Sequence, residues 1–271
     1  MKTMIQAHRG ASFYYAENTL EAFSAAIEQG ADGIELDVHL SKDGEIVVAH
    51  DERLERVSNG TGYINDHTLE ELKTYDFGLA ASKPGSDGQK PPSNGAICRI
   101  PVLSEVFSLV KPHALTVNIE LKTTERLYPD LAEKLTALVR EYDMEERVLY
   151  SSFNHYSLLQ IKKIEPEART GLLYELGMVD PWVYANYVGA YAIHPHYYVI
   201  AVLPETVERC HENGVRVNVW TVDESEAIKQ MLKCGVDGII TNRPDTAIAV
   251  REAYYGASIQ GEIQGEMKNG R

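Results

Sequence analysis

Three short apolar runs near the start of the chain end in residues able to do chemistry. Ile5-Gln6-Ala7 leads into His8-Arg9-Gly10, Ala31–Val38 contains Glu35 and Asp37, and Val47-Val48-Ala49 leads into His50-Asp51. Residues two apart on a strand project from the same face, so Glu35 and Asp37 point together while Leu36 points away. Burying paired carboxylates is costly unless something offsets their charge. Oxygen donors of this kind suit a hard divalent cation, Mg²⁺ or Ca²⁺. Two imidazoles that titrate near neutral pH suit the removal of a proton from an attacking oxygen and its delivery to a leaving one.

A second set lies further on. Val117-Asn118-Ile119-Glu120-Leu121-Lys122 reads as a strand with Glu120 near its end. Glu120 supplies a third carboxylate. Lys122, two residues later, shares its face. Arg9 offers a fork for two phosphate oxygens and Lys122 a point charge. Each residue also has a plainer reading. Either His can be a hydrogen-bonded structural residue, Glu35 and Asp37 can form ion pairs, and Lys122 can be a solvated strand-end lysine. Zn²⁺ would call for His or Cys ligands, and a His-x-His start on the first strand, as in metal-dependent amidohydrolase barrels, is lacking.

These groups need a scaffold that gathers strand ends. Strand and helix patterns alternate along the chain, which predicts βα units around a parallel sheet. Eight strands are expected near residues 3–8, 32–37, 115–120, 147–151, 169–173, 190–193, 215–219 and 237–240. The first helix is expected from an Asn18-Thr19 cap, with Leu20, Phe23 and Ile27 on one face. Further helices are expected over 127–140, 154–163, 204–212, 224–234 and 244–254. Pro204 and Pro244 suit helix first turns, and Gly214 and Gly235 suit helix stops. The fold expected is a single α/β domain over residues 1–255, a (β/α)₈ TIM barrel, with a small insertion after strand 2. That insertion covers residues 51–112 and contains a Pro/Gly/Ser-rich loop over 83–95. Residues 256–271 are polar and without apolar periodicity, as in a flexible tail.

The chain has 271 residues, a typical length for one such barrel. Its 40 acidic against 26 basic residues give a net charge of −14. This argues against nucleic acid as partner and against a polybasic membrane patch. No signal-peptide h-region and no membrane-spanning apolar run stands out, so no membrane anchor is expected. Cys98, Cys210 and Cys234 are few and far apart, as in a reduced, cytoplasmic protein.

The ordered set His8-Arg9-Gly10, Glu17-Asn18-Thr19, Glu35-Leu36-Asp37 and His50-Asp51 resembles the glycerophosphodiester phosphodiesterase family. The likeness continues through Glu120-Leu121-Lys122, Trp220-Thr221-Val222-Asp223 and Gly238–Pro244, to about Arg251. The family usually has Pro before Glu-Asn-Thr, where this chain has Ala16. The resemblance implies metal-dependent hydrolysis of small-molecule glycerophosphodiesters to sn-glycerol 3-phosphate and an alcohol. It implies His8 and His50 as acid and base. It also implies a barrel-mouth role for the insertion, which can equally be a surface excursion with no role, and Trp220, within a shared motif, is either a wall against the glycerol or alcohol moiety or part of the core. Asn18 can cap the helix, orient the His8 loop or do both, and capping alone is the role expected. His194, in His194-Pro195-His196, falls near a position often polar in the family. Tyr184, Tyr187, Tyr191, Tyr197 and Tyr198 either line the mouth or pack. Two alternatives stand beside this reading: a phospholipase C- or D-like barrel acting on intact lipids, and a non-catalytic barrel that binds a phosphorylated ligand. The sequence leaves the oligomeric state open.

Overall fold

Nine strands form one sheet: β1 (Met4–His8), β2 (Gly33–Leu40), β3 (Ile46–Val48), β4 (Thr116–Leu121), β5 (Val148–Ser152), β6 (Thr170–Tyr174), β7 (Ala192–Pro195), β8 (Arg216–Val219) and β9 (Gly238–Thr241). The computed structural model describes residues 2–78 and 97–269, the last helix by its backbone alone beyond residue 257. The loop expected over 83–95 therefore lies outside the described residues. Strand β1 pairs in parallel with both β2 and β9, and the parallel run β9-β8-β7-β6-β5-β4-β2 closes the ring. The expected eight-stranded barrel is present. Strand β3 is an antiparallel addition on β2, with Val38 opposite Val48.

Helices cover the outside: α1 (Leu20–Glu28), α2 (Leu69–Leu72), α3 (Leu103–Val110), α4 (Leu131–Glu141), α5 (His155–Ile164), α6 (Pro181–Val188), α7 (Tyr197–Val202), α8 (Glu205–Glu212), α9 (Ser225–Cys234) and α10 (Pro244–Asn269). Strand β2 shows why the barrel forms. All eight of its residues are buried. Ile34, Leu36 and Val38 join the apolar layer beneath the helices, while Glu35, Asp37 and His39 take the opposite face. A strand covered on both sides by parallel neighbours and crossover helices leaves no face for water.

The stretch 51–112 divides in two. Helix α3 belongs to the barrel layer, with Leu103, Val106, Phe107 and Val110 in the main core. The part before it has its own small core of Val47, Ala49, Leu54, Val57, Ile64, Leu72, Phe77 and Ile100. It returns to the barrel where Val48 N donates to Pro101 O at 2.9 Å. At the other end of the chain, α10 continues across Gly256 to Asn269, through the polar stretch expected as a tail.

Candidate active site

The loop after β1 sets two candidate groups at once. His8 is the last residue of β1, and Arg9 follows in the left-handed region, at φ 57°. Gly10, at φ 81°, lets α1 approach: a Cβ there would fall 2.6 Å from the carbonyl carbon of Ala22. A non-glycine residue held at positive φ signals a constraint imposed from elsewhere. For Arg9 the constraint is visible, because its backbone N–H donates to Glu35, to the carbonyl at 2.9 Å and to Oε2 at 3.1 Å.

His8 Nδ1 lies 2.7 Å from Asn242 Oδ1, an acceptor, so this nitrogen carries the proton and Nε2 faces the site. Asn242 is itself fixed, since Nδ2 and the backbone N–H donate to Asp223 at 2.7 and 2.8 Å. His50 follows the same plan: Nδ1 donates to Asp51 Oδ1 at 2.5 Å, and Nε2 accepts from Lys122 Nζ at 3.1 Å.

Glu35 and Asp37 from β2 and Glu120 from β4 meet beside these groups. One carboxylate oxygen of each lies within 4.8 Å of the other two, and all three residues are buried. The register explains the meeting, because Asp37 stands directly opposite Glu120 across the β2–β4 pair. Burial, then the nearby Asp37 and Glu120 charges, raise the Glu35 pKa well above the ordinary carboxylate value. Burial and Asp37 likewise raise that of Glu120, against the opposing pull of Lys122. Burial would raise Asp37 too, but His50, Arg9, Lys122 and the Asn18 amide hold it well below the usual range. Asp37 Oδ1 has no hydrogen-bond partner among the described residues. Three buried hard-oxygen donors, two holding protons unusually tightly and one oxygen unpaired, fit a divalent cation of the Mg²⁺ or Ca²⁺ kind.

Arg9 and Lys122 hold the positive charge. Arg9 Nη1 donates to Glu17 Oε1 at 3.0 Å, and its Nε stands 3.4 Å from Asp37 Oδ2. Lys122 Nζ donates to Glu120 Oε1 at 3.0 Å. Only 9% of Lys122 is exposed, so it is no solvated strand-end lysine.

These groups open onto a cavity of about 50 Å³ whose lining includes His8, Arg9, His50 and Trp220. Its apolar wall is Phe153, Leu173, Trp220 and Ile240, with Glu35, Glu120, Asn118 and Ser151 as the polar remainder. Both amide atoms of Asn118 and the Ser151 hydroxyl are buried and without hydrogen-bond partners among the described residues. The Trp220 ring is fixed by Nε1, which donates to His194 O at 2.8 Å, and by edge contact with Phe153.

The structure thus gathers His8, Arg9, Glu35, Asp37, His50, Glu120, Lys122 and Trp220 around one barrel mouth. It resolves Asn18 differently from a helix cap. The cap is Thr19, whose extended backbone (φ −110°, ψ 157°) lets Oγ1 accept from Ala22 N. Asn18 has φ 57°, unsuited to a cap, and its Nδ2 donates to Asp37 Oδ2 at 2.8 Å. His194 is fully buried and does not line the cavity: its ring sits over Gly171, and Nε2 meets Asn218 Nδ2 at 2.9 Å. None of the five clustered tyrosines lines the cavity either. Residues not singled out from sequence include Glu17, Arg56, Asn118, Ser151, Phe153, Asp223 and Asn242. Glu17, Asp223 and Asn242 lie inside motifs that carried the family resemblance, which was the available signal for them.

Over residues 8–246 the chain matches the model of the Glycerophosphoryl diester phosphodiesterase family. Together with the barrel and its mouth, this defines a (β/α)₈ enzyme of the phosphodiesterase class. A glycerophosphodiester phosphodiesterase of Caldanaerobacter subterraneus subsp. tengcongensis is 50% identical over 248 residues, covering 92% of this chain and 97% of that protein. The crystal structure of a glycerophosphodiester phosphodiesterase from Agrobacterium tumefaciens is similar at 31% identity and a TM-score of 0.75, covering 91% of this chain and 99% of that one. An Oleispira antarctica phosphodiesterase, solved in complex with the product sn-glycerol-3-phosphate, is similar at 26% identity and a TM-score of 0.76, covering 92% and 96%. The chain belongs to the glycerophosphoryl diester phosphodiesterase family. Among the described residues no helix is long and apolar enough to cross a membrane.

Proposed function

We propose that the protein hydrolyses small soluble glycerophosphodiesters to sn-glycerol 3-phosphate and an alcohol, with His8 and His50 as acid and base and a divalent cation at Glu35, Asp37 and Glu120. The observation that carries this reading is the convergence of three carboxylate oxygens within 4.8 Å of one another, beside two imidazoles whose Nδ1 atoms are both tied back. The names of the relatives and the product bound to the Oleispira enzyme support the choice of substrate.

A cation at the trio supplies charge neutralisation of the phosphoryl group and polarisation of the attacking oxygen. The chain's own residues do the rest. Arg9 and Lys122 bind the phosphate oxygens. Phe153, Leu173 and Trp220 cover the carbon skeleton of the glycerol end, and Asn118 and Ser151 offer their unpaired polar atoms to its hydroxyls. One histidine, bare at Nε2, accepts the proton of the attacking oxygen there, and the other, entering the step as imidazolium with a proton on Nε2 as well as Nδ1, donates that Nε2 proton to the leaving alkoxide. The attacking oxygen is the glycerol 2-hydroxyl, through a cyclic phosphate that water opens, or water itself; both routes need the same two transfers. The free thiols of Cys98, Cys210 and Cys234 support a reducing, cytoplasmic setting.

The test is release of sn-glycerol 3-phosphate from glycerophosphocholine and glycerophosphoethanolamine. Release that EDTA abolishes and Mg²⁺ or Ca²⁺ restores is the expected result. Turnover of lipid micelles but of no soluble diester would favour the phospholipase-like alternative, and turnover of neither a non-catalytic phosphate-binding barrel.

A further inference from the structure

The small core outside the barrel carries a side chain that reaches the groups behind the site. Arg56 lies between Leu54 and Val57, which are 0% and 3% exposed and anchored in that core. Its guanidinium spans two carboxylates. Nε and Nη2 donate to Asp51 Oδ2 and Oδ1 at 2.5 and 2.8 Å, and Nη1 and Nη2 donate to Glu17 Oε2 and Oε1 at 3.0 and 2.7 Å. Asp51 in turn holds His50 Nδ1, and Glu17 holds Arg9 Nη1. The result is one chain of charge-assisted hydrogen bonds, His50–Asp51–Arg56–Glu17–Arg9.

We propose that Arg56 is a positioning residue that aligns His50 and Arg9 together, so that docking of the small core completes the active site. The proposal rests on the function proposed above for His50 and Arg9. A planar guanidinium meets two carboxylates through several fixed N–H groups at once, whereas an ammonium is a point charge that satisfies one well. Remove the guanidinium, and Asp51 and Glu17 face each other without a cation between them. Asp51 then turns from the His50 ring, and Glu17 shifts the fork of Arg9. Arg56 is among the groups that hold both carboxylates below their ordinary pKa against the opposing effect of burial.

The test uses full-length R56A and R56K with two diesters, glycerophosphocholine and bis(p-nitrophenyl) phosphate, the second lacking glycerol. R56A is expected to lower kcat about 10–100-fold on both, as removal of an outer-shell partner does. R56K is expected to recover little of this, and added guanidinium at millimolar levels to restore a large part of it to R56A. The R56A and D51N losses are expected to be strongly non-additive, because both act through His50. Nitrogen-15 NMR of the His50 ring is independent of substrate: the wild type should show the Nδ1–H tautomer alone, and R56A and R56K a mixture. If the wild type hydrolyses neither diester yet the tautomer changes in the variants, the functional reading fails and the positioning role stands. Full activity in R56K, or a His50 ring unchanged in both variants, would overturn the proposal.

Discussion

Asn242 Oδ1 accepts a hydrogen bond from His8 Nδ1 at 2.7 Å, across 234 residues of sequence. It joins the first strand end of the barrel to the last, and it fixes which imidazole nitrogen faces the site. Asp51 does the same for His50. H8A and H50A are therefore expected to lower kcat by about 10²–10⁴-fold, the range for a positioned acid or base. N242A should lower it less, because the ring remains and only its orientation is lost. Steady-state kinetics with glycerophosphocholine, beside a circular dichroism spectrum matching wild type, makes the comparison. Near-normal turnover in H8A or H50A would demote that histidine to a structural part.

Asn18 reaches Asp37 from a left-handed backbone, donating at 2.8 Å. If Asp37 is a ligand, Asn18 orients it. N18A should then weaken Mg²⁺ or Ca²⁺ affinity by about 10–100-fold, measured by calorimetric titration of chelator-stripped protein. An unchanged affinity would mean that Asn18 serves only the loop.

Asn118 and Ser151 bring unpaired polar atoms to the cavity wall. N118A and S151A should raise KM for glycerophosphocholine while leaving KM for bis(p-nitrophenyl) phosphate nearly unchanged. A site built to bond a hydroxyl discriminates strongly against analogues without one. Equal effects on both substrates would remove these residues from glycerol recognition.

Acid should destabilise the protein through its buried histidines. Burial pushes the His194 pKa down to about 3 and, as the leading cause, the His39 pKa down to about 4. Between those values and about 6.5 the unfolded chain binds protons that the folded chain refuses. The stability contributed by the neutral rings is thus complete above about pH 6.5 and is lost as pH falls toward the folded values. Between pH 7 and pH 5 the urea midpoint of the wild type should fall relative to that of H194N, the comparison cancelling the opposite contribution of the raised Glu35 and Glu120 carboxyls. A slope indifferent to H194N would contradict a buried neutral His194.

Much of this was legible in the sequence. The strands lie within a residue or so of expectation at most ends, because the face beneath the helices repeats apolar residues at every second position, as Ile34, Leu36 and Val38 do on β2. Helices α6 and α7 were not legible: they are short, their apolar residues follow no clean helical period, and their tyrosines divide between packing and exposure. Tyr184 packs on the core and bonds His155, while Tyr187 and Tyr198 are exposed. Types and strand-end placement were enough to select Glu35, Asp37, Glu120 and the two histidines. What escaped was the support behind them. Asn242 reaches His8, and Arg56 reaches Glu17, by closure of the ring and docking of the small core, relations that no local pattern records.

The central claim is that the three carboxylates form a cation site that completes the phosphate site. Thermal melting of chelator-stripped protein across a Mg²⁺ and Ca²⁺ series, with and without sn-glycerol 3-phosphate, tests it most directly. A cation that binds only the folded arrangement raises the melting temperature with its concentration. It should also strengthen the further rise caused by sn-glycerol 3-phosphate, because its charge adds to that of Arg9 and Lys122. E35Q should weaken both effects. A melting temperature indifferent to both ions at millimolar levels would contradict the account.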